Sequence, residues 1–157
     1  MENKIDLLLA FFISMLPIVE LRGGIIFAAA RGIPFVAAFA VCYLGNIIPV
    51  PFILFFIRKV FEIMEKFKFT GKIVKKVKSI AHGKSDKIRK YQLLGLFMFT
   101  AIPLPGTGAW MGALISVLME LPIKKTFPVI AVGVLSAGII MSILSYLIPG
   151  FFFSVAK

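Results

Sequence analysis

Three charged residues lie in or beside the first apolar stretch of the sequence: Glu20, Arg22 and Arg31. A charge deep in a lipid bilayer costs at least about 2.5–3.5 kcal/mol on insertion scales, so its retention suggests a function. A buried carboxylate can take up and release a proton, and a guanidinium can hold an anion. The alternatives are that Glu20 and Arg22 neutralise each other or lie in a shallow surface segment, and that Arg31 snorkels to lipid headgroups.

Glycine and proline residues follow these charges and recur in the second half of the chain. The first run is Gly23 and Gly24. The second is Pro103, Pro105, Gly106 and Gly108, with Thr107 between the last two glycines and Trp110 just after them. Each run would open a short helix whose free N–H groups and dipole carry partial positive charge. Glycine lets a ligand approach the backbone, and Thr107 adds a hydroxyl donor, so two such N-termini with Arg22 describe a phosphate or carboxylate site. Alternatively, the glycines only allow tight packing, and Trp110 either lines the cavity or packs.

Two further residues stand out in the second apolar stretch. Asn46 is polar in an otherwise apolar segment, and we expect its amide to bond a neighbouring helix or a hairpin tip. Cys42 is the one cysteine, which excludes an intramolecular disulfide and is typical of a small buried residue. No nucleophile–base pair and no metal-ligand spacing occurs in the sequence, so we expect neither an enzyme nor a bound cofactor or metal.

The composition predicts one membrane domain over residues 1–157. Hydrophobic residues make up 60% of the 157, and the 17 Phe exclude a disordered chain in water. The mean hydropathy of +1.01 and the long apolar runs argue against a soluble fold.

The net charge of +11 is concentrated in one segment, 58–92, between two apolar halves. This placement favours a cytoplasmic loop over a nucleic-acid site. Apolar residues at helical spacing (Val60, Ile63, Met64 and Phe67, then Ile73, Val74, Val77 and Ile80) predict two amphipathic helices on the membrane surface, in contact with anionic headgroups.

Four apolar stretches form two similar units, repeat 1 at about 5–57 and repeat 2 at about 93–150. Each unit begins with a stretch that Pro17 or Pro103 interrupts. Each continues, after a short polar turn, with an uncharged stretch (35–57 and 126–148) that is long enough to span a bilayer.

The interrupted stretches leave limbs of about 10–12 residues, too short to cross a hydrocarbon core of about 30 Å. They therefore predict re-entrant helical hairpins, with four full but kinked spans as the alternative. Hairpins place Lys124 and Lys125 on the same side as the basic loop, which the positive-inside rule favours. The predicted fold is an all-α integral membrane protein: an inverted repeat of two units, each a re-entrant hairpin plus a transmembrane helix, with a cytoplasmic basic amphipathic helical loop.

Three motifs resemble the small multidrug export protein family of prokaryotes: ELRGG at 20–24, PLPGTGAW at 103–110 and GAL at 112–114. That family looks related to the broader DedA superfamily. The resemblance implies two facing re-entrant hairpins in a prokaryotic cytoplasmic membrane. DedA-type proteins are associated with proton-motive force and with movement of lipids, notably a phosphorylated polyprenyl carrier, and their acidic residue in the first hairpin matches Glu20. They also carry an arginine near the second tip, where this chain has Gly106-Thr107-Gly108, so Arg22 would supply the cation.

The leading hypothesis is a transporter of an anionic lipid or lipid-linked phosphate, in which Glu20 handles the proton while Arg22 and the helix N-termini bind the phosphate. One alternative is efflux of small cationic drugs with Glu20 as the binding carboxylate. Another is a non-transporting scaffold that uses the basic loop. The expected partners are membrane lipids, protons and a second copy of the chain. The second copy is expected because so few spans make a thin bundle around a polar cavity.

Overall fold

The structure is a computed structural model and describes residues 2–65, 86–104 and 106–147. Pro105 and most of the predicted basic loop, 66–85, lie outside the described residues. Every regular element in the described part is an α-helix. The helices are α1 (Glu2–Met15), α2 (Glu20–Ala30), α3 (Phe35–Ile47), α4 (Pro49–Glu65), α5 (Asp86–Ala101), α6 (Ala109–Leu118) and α7 (Ile123–Leu147). The predicted all-α class is confirmed.

Two long apolar helices match the two predicted spans. α3 and α4 are separated only by Ile48 and run on as one apolar helix of 26 residues, Phe35–Val60; the other comprises 24 residues of α7. The interruption at Ile48 follows from Pro49, which has no N–H to donate and fits the first turn of a new helix. At 1.5 Å per residue these helices measure roughly 36–39 Å, so both are long enough to cross a bilayer.

Each interrupted stretch forms a pair of short helices. In the first half α1 and α2 are joined by the turn at 16–19, which contains Pro17. In the second half α5 and α6 are joined by the longer segment 102–108, which contains Pro103. The four helices have 14, 11, 16 and 10 residues. These lengths correspond to roughly 15–24 Å.

The second helix of each pair ends in the same Schellman motif. The N–H of Ile33 donates to the carbonyl of Ala28 at 3.0 Å, and the N–H of Leu121 donates to that of Ser116 at 2.9 Å. The residue before each of these donors is left-handed: Gly32 has a φ of 68° and Glu120 a φ of 53°. A proline follows in both halves, at 34 and 122, and the long helix begins directly after it.

Packing within and between the halves is reciprocal. α1 packs against α2 and α3, and α5 packs in the same way against α6 and α7. Across the halves, α2 packs against α7 while α6 packs against α4. Leu21 and Ile25 of α2 and Ile130 and Val134 of α7 are almost completely buried and belong to one shared core cluster.

Four glycines allow these helices to cross closely. Gly24 lies against Ser14 and Gly45 against the carbonyl of Phe11 in the first half; Gly112 lies against Thr100 and Gly133 against the carbonyl of Phe97 in the second. A Cβ atom at any of these positions would come within 3.0 Å of a neighbouring atom. The same contacts therefore recur at corresponding places in both halves.

We expect Gly45→Ala to lower the free energy of unfolding by about 1–3 kcal/mol, as overpacking does. The added Cβ would lie 2.5 Å from the carbonyl oxygen of Phe11, which belongs to a helix backbone and cannot rotate away. Gly95→Ala is the matched control, since a Cβ in the exposed Gly95 position of α5 meets no described atom within 4 Å. That control should raise stability by up to about 1 kcal/mol through helix propensity.

The measurement is chemical denaturation in detergent micelles, followed by circular dichroism. Equal effects of the two substitutions would contradict the close crossing of α1 and α3.

Candidate functional site

Glu20 is buried where the two halves meet. Its exposed fraction is 3%, and it is the first residue of α2. Its φ of 52° lies in the left-handed region, which costs a residue other than glycine about 1–3 kcal/mol. A buried carboxylate on strained backbone is uncommon and marks a candidate functional site.

The carboxylate of Glu20 caps the N-terminus of α6. The backbone N–H of Trp110 donates to Glu20 Oε1 at 3.1 Å. Gly108, the residue before α6, has a φ of 130° and offers no capping side chain of its own. A Cβ at Gly108 would overlap Glu20 Oε2, so both the backbone conformation and the available space require glycine there. The negative charge thus lies at the positive end of the α6 dipole.

Arg22 connects the same two tips from the other side of the carboxylate. Its Nη2 lies 3.7 Å from Glu20 Oε2. The guanidinium also donates to the carbonyl of Thr107, and to Thr107 Oγ1 at 3.0 Å. The side chains of Arg22 and Glu20 are only 14% and 4% exposed, so this ion pair is shielded from solvent.

Trp110 forms a second bridge between the tips. Besides the backbone bond to Glu20, its indole N–H donates to the carbonyl of Met15 at 3.1 Å. Trp110 therefore holds the start of α6 against the end of α1.

A small cavity of about 10 Å³ adjoins the ion pair. Its polar lining comes from Glu20, Arg22, Asn46 and Thr100, and its apolar lining includes residues of α7. A space of this size holds about one water molecule. Asn46 is 1% exposed, and its Oδ1 finds no hydrogen-bond donor among the described residues. One acceptor beside Glu20 is thus left unused.

Only some of the predicted site residues come together in the structure. Glu20, Arg22, Asn46, Thr107, Gly108 and Trp110 come together at this junction. Gly23 and Gly24 instead lie inside α2, because the chain turns at 16–19, ahead of Glu20; Gly24 packs on α1 against Ser14. Pro103 and the exposed Gly106 belong to the segment that leads into α6.

Arg31 lies at the other end of α2, about 16 Å along the helix from Glu20. Its Nε is 3.7 Å from Asp6 Oδ1, and its guanidinium lies 5.5 Å from the centre of the Phe27 ring. More than half of the side chain is exposed. Arg31 is therefore separate from the ion pair.

Sequence reasoning missed Thr100 and Met15. Thr100 is fully buried and lines the cavity, and its hydroxyl donates to the carbonyl of Leu96 at 3.0 Å. A signal for it existed, because Ser14 and Thr100 each precede the proline of their half by three positions. Met15 acts only through its backbone carbonyl, so its residue type gives no signal.

No curated protein and no solved structure matched this chain. A family model described as "Putative small multi-drug export protein" matches residues 20–140, which include Glu20, Arg22, Gly108 and Trp110. The match and the two long apolar helices together indicate a membrane protein. With most of its length covered by that model, the chain belongs to the family whose name describes small multi-drug export proteins.

Proposed function

We propose that this protein is a membrane transporter that moves an anionic lipid or lipid-linked phosphate and couples the movement to the proton gradient. The observation that carries the proposal is the position of the Glu20 carboxylate, between the α6 N-terminus and Arg22. Helix N-termini and guanidinium groups are the partners that proteins use for phosphate. In this closed state the protein's own carboxylate occupies an anion site.

Competition for this site would couple substrate to proton. An ionised Glu20 and a bound phosphate repel each other and need the same donors, so both cannot occupy the site. Protonation removes the charge of Glu20 and weakens its hold on the α6 N-terminus and Arg22. The donors are then free for the substrate anion.

Asn46 supplies a place for the protonated carboxyl group. A protonated carboxyl donates a hydrogen bond, and Asn46 Oδ1 in the same small cavity is a buried acceptor with no donor in the part of the chain that the structure describes. When Glu20 moves from the N–H of Trp110 towards Asn46, its carboxyl group loses one hydrogen bond and gains another.

The closed junction has no room for a substrate, since its cavity has a volume of only about 10 Å³. Transport therefore requires the two tips to separate. The reciprocal packing of α2 on α7 and of α6 on α4 provides the surfaces on which one half would rock against the other.

We further propose a topology like that implied by the resemblance to the DedA superfamily, with two facing re-entrant hairpins. The short helices α2 and α6, of 11 and 10 residues, favour re-entrant hairpins that return to the side they entered. Each half then crosses once, and the two halves are inverted in a prokaryotic cytoplasmic membrane. The segment 58–92 lies on the cytoplasmic side and both termini lie outside.

A reporter fused after Lys157 tests this topology. A reporter that is active only outside the cytoplasm should give signal, and a cytoplasm-only reporter should not, because one crossing separates the terminus from the basic segment. A matched fusion within the basic segment should give the opposite pattern. A cytoplasmic C-terminus would mean four full spans and would remove the re-entrant hairpins from the proposal.

Substitutions at the ion pair test the transport mechanism. We expect Arg22→Ala to reduce uptake of an anionic lipid into proteoliposomes by about 10–100-fold, the loss expected for charge-assisted hydrogen bonds of about 1.5–3 kcal/mol. Glu20→Gln should abolish the response to a proton gradient, because it cannot ionise.

Arg31→Ala is the matched control for Arg22→Ala. It removes the same charge just after the C-terminus of the same helix, away from the site, and should change uptake less than twofold. A well-folded Arg22→Ala or Glu20→Gln protein that transports as the parent does would refute the mechanism.

Efflux of small cationic drugs is a second candidate, and the family name favours it. Here Glu20 would bind the cation, and Arg22 would compete with the drug for the carboxylate. Arg22→Ala would then leave drug binding unchanged or improve it, whereas the anion mechanism predicts a loss.

A substitution at Asn46 tests the resting place of the protonated carboxyl group. Asn46→Leu keeps the branched shape of the side chain but removes the acceptor, so proton-driven uptake should fall while binding of the anionic substrate at fixed pH persists. Asn46→Thr, which retains an acceptor, should restore part of the proton response. Uptake by the Leu variant with the parent's pH dependence would exclude Asn46 from the proton step.

A further inference from the structure

An apolar groove runs along the outer face of α4. Phe52, Phe55 and Phe56 are 72%, 65% and 71% exposed there. Together with Ile57, Lys59 and Trp110 they border a volume of about 750 Å³. Ligand sites commonly have volumes of about 300–1,000 Å³, so the groove has room for an apolar chain.

Trp110 belongs both to the lining of this groove and to the candidate site. One side of the residue borders the groove, while its backbone N–H holds Glu20 and its indole N–H holds Met15. A molecule in the groove therefore lies directly beside the residue that joins the two tips.

Positive charge marks one end of the groove. Lys59 belongs to its lining, and the neighbouring Arg58 is exposed. Both lie at the end of the apolar helix Phe35–Val60, where a spanning helix reaches the headgroup layer. The distance along α4 from Pro49 to Lys59 is about 15 Å, so an acyl chain can follow the groove from headgroup level into the membrane.

We propose that this groove binds an anionic phospholipid, with its headgroup at Lys59 and Arg58 and an acyl chain along α4 as far as Trp110. Charge complementarity selects an anionic lipid over a zwitterionic one. The groove is a lateral path from the bilayer to the Glu20–Arg22 site. In that role it rests on the proposed function, although lipid binding can be measured without transport.

Trp110 is the only tryptophan in the chain, so it reports on the groove directly. The protein would be reconstituted in bilayers in which brominated acyl chains, which quench tryptophan fluorescence, are carried either by phosphatidylglycerol or by phosphatidylcholine at equal mole fraction. We expect phosphatidylglycerol to occupy the quenching position with about fivefold higher relative affinity or more, the effect of at least one basic residue at a membrane surface.

The test variant is Arg58→Gln with Lys59→Gln, and the matched control is Lys124→Gln with Lys125→Gln. Lys124 and Lys125 are an exposed basic pair at the start of α7, away from the groove. The test pair should abolish the preference for phosphatidylglycerol while quenching persists, and the control pair should leave the preference intact.

Equal quenching by the two lipids in the parent protein would overturn the proposal, because it indicates ordinary annular lipid. Quenching by neither lipid would also overturn it, since it means that another protein surface, such as a second copy, covers Trp110. A clear preference in a protein whose Arg22→Ala variant transports normally would leave the groove in place and remove the proposed function. If Arg22→Ala loses transport but the parent shows no lipid preference, the proposed function stands and the lipid groove is refuted.

Discussion

The contact between the Glu20 carboxylate, the α6 N-terminus and Arg22 is the interaction on which the junction of the two halves depends. It places a negative charge 3.1 Å from a backbone nitrogen of the other half and 3.7 Å from a guanidinium nitrogen. Removing one partner from a buried ion pair costs about 3–5 kcal/mol, because the remaining charge is left uncompensated. The glycine at 108, the left-handed Glu20 and the bonds of Arg22 to Thr107 all serve this one geometry.

The scaffold repeats, but its chemistry does not. Glu20 and Gly108 each lie twelve residues before the left-handed position that ends the following helix, Gly32 in one half and Glu120 in the other. One half thus supplies the carboxylate, and the other supplies the free helix N-terminus and the space for it. A carboxylate at both places would put two like charges at one point, and one of them would have to be neutral. The difference between the halves therefore lets the two tips meet around a single carboxylate.

Much of this architecture could be predicted from the sequence. Uncharged runs of sufficient length predicted the long helices, and the interruptions that begin at Pro17 and Pro103 predicted pairs of short helices. Glu20 and Arg22 stood out because charge is costly in an apolar stretch.

The role of Gly24 could not be predicted in the same way. Its low helix propensity suggested a break, yet tertiary packing holds it inside α2, where only glycine fits against α1. Asn46 was expected to bond a neighbouring helix or a hairpin tip, but its shared cavity with Glu20 and Thr100 could not be predicted. Spacing along a chain does not fix how helices from different halves are rotated towards each other. The three residues lie on three different helices.

The hydrogen bonds of Trp110 link the lipid-facing surface to the buried charges. The same residue borders the apolar groove, donates its backbone N–H to Glu20 and donates its indole N–H to Met15. An acyl chain that displaces the indole must break the bond to Met15, and it then loosens the start of α6, on which the carboxylate rests. In the proposed mechanism, protonation of Glu20 would weaken the same junction from the inside. Because both events act on one short segment of backbone, a lipid at the groove and a proton at Glu20 would favour the same opening, and each would lower the free energy that the other must supply.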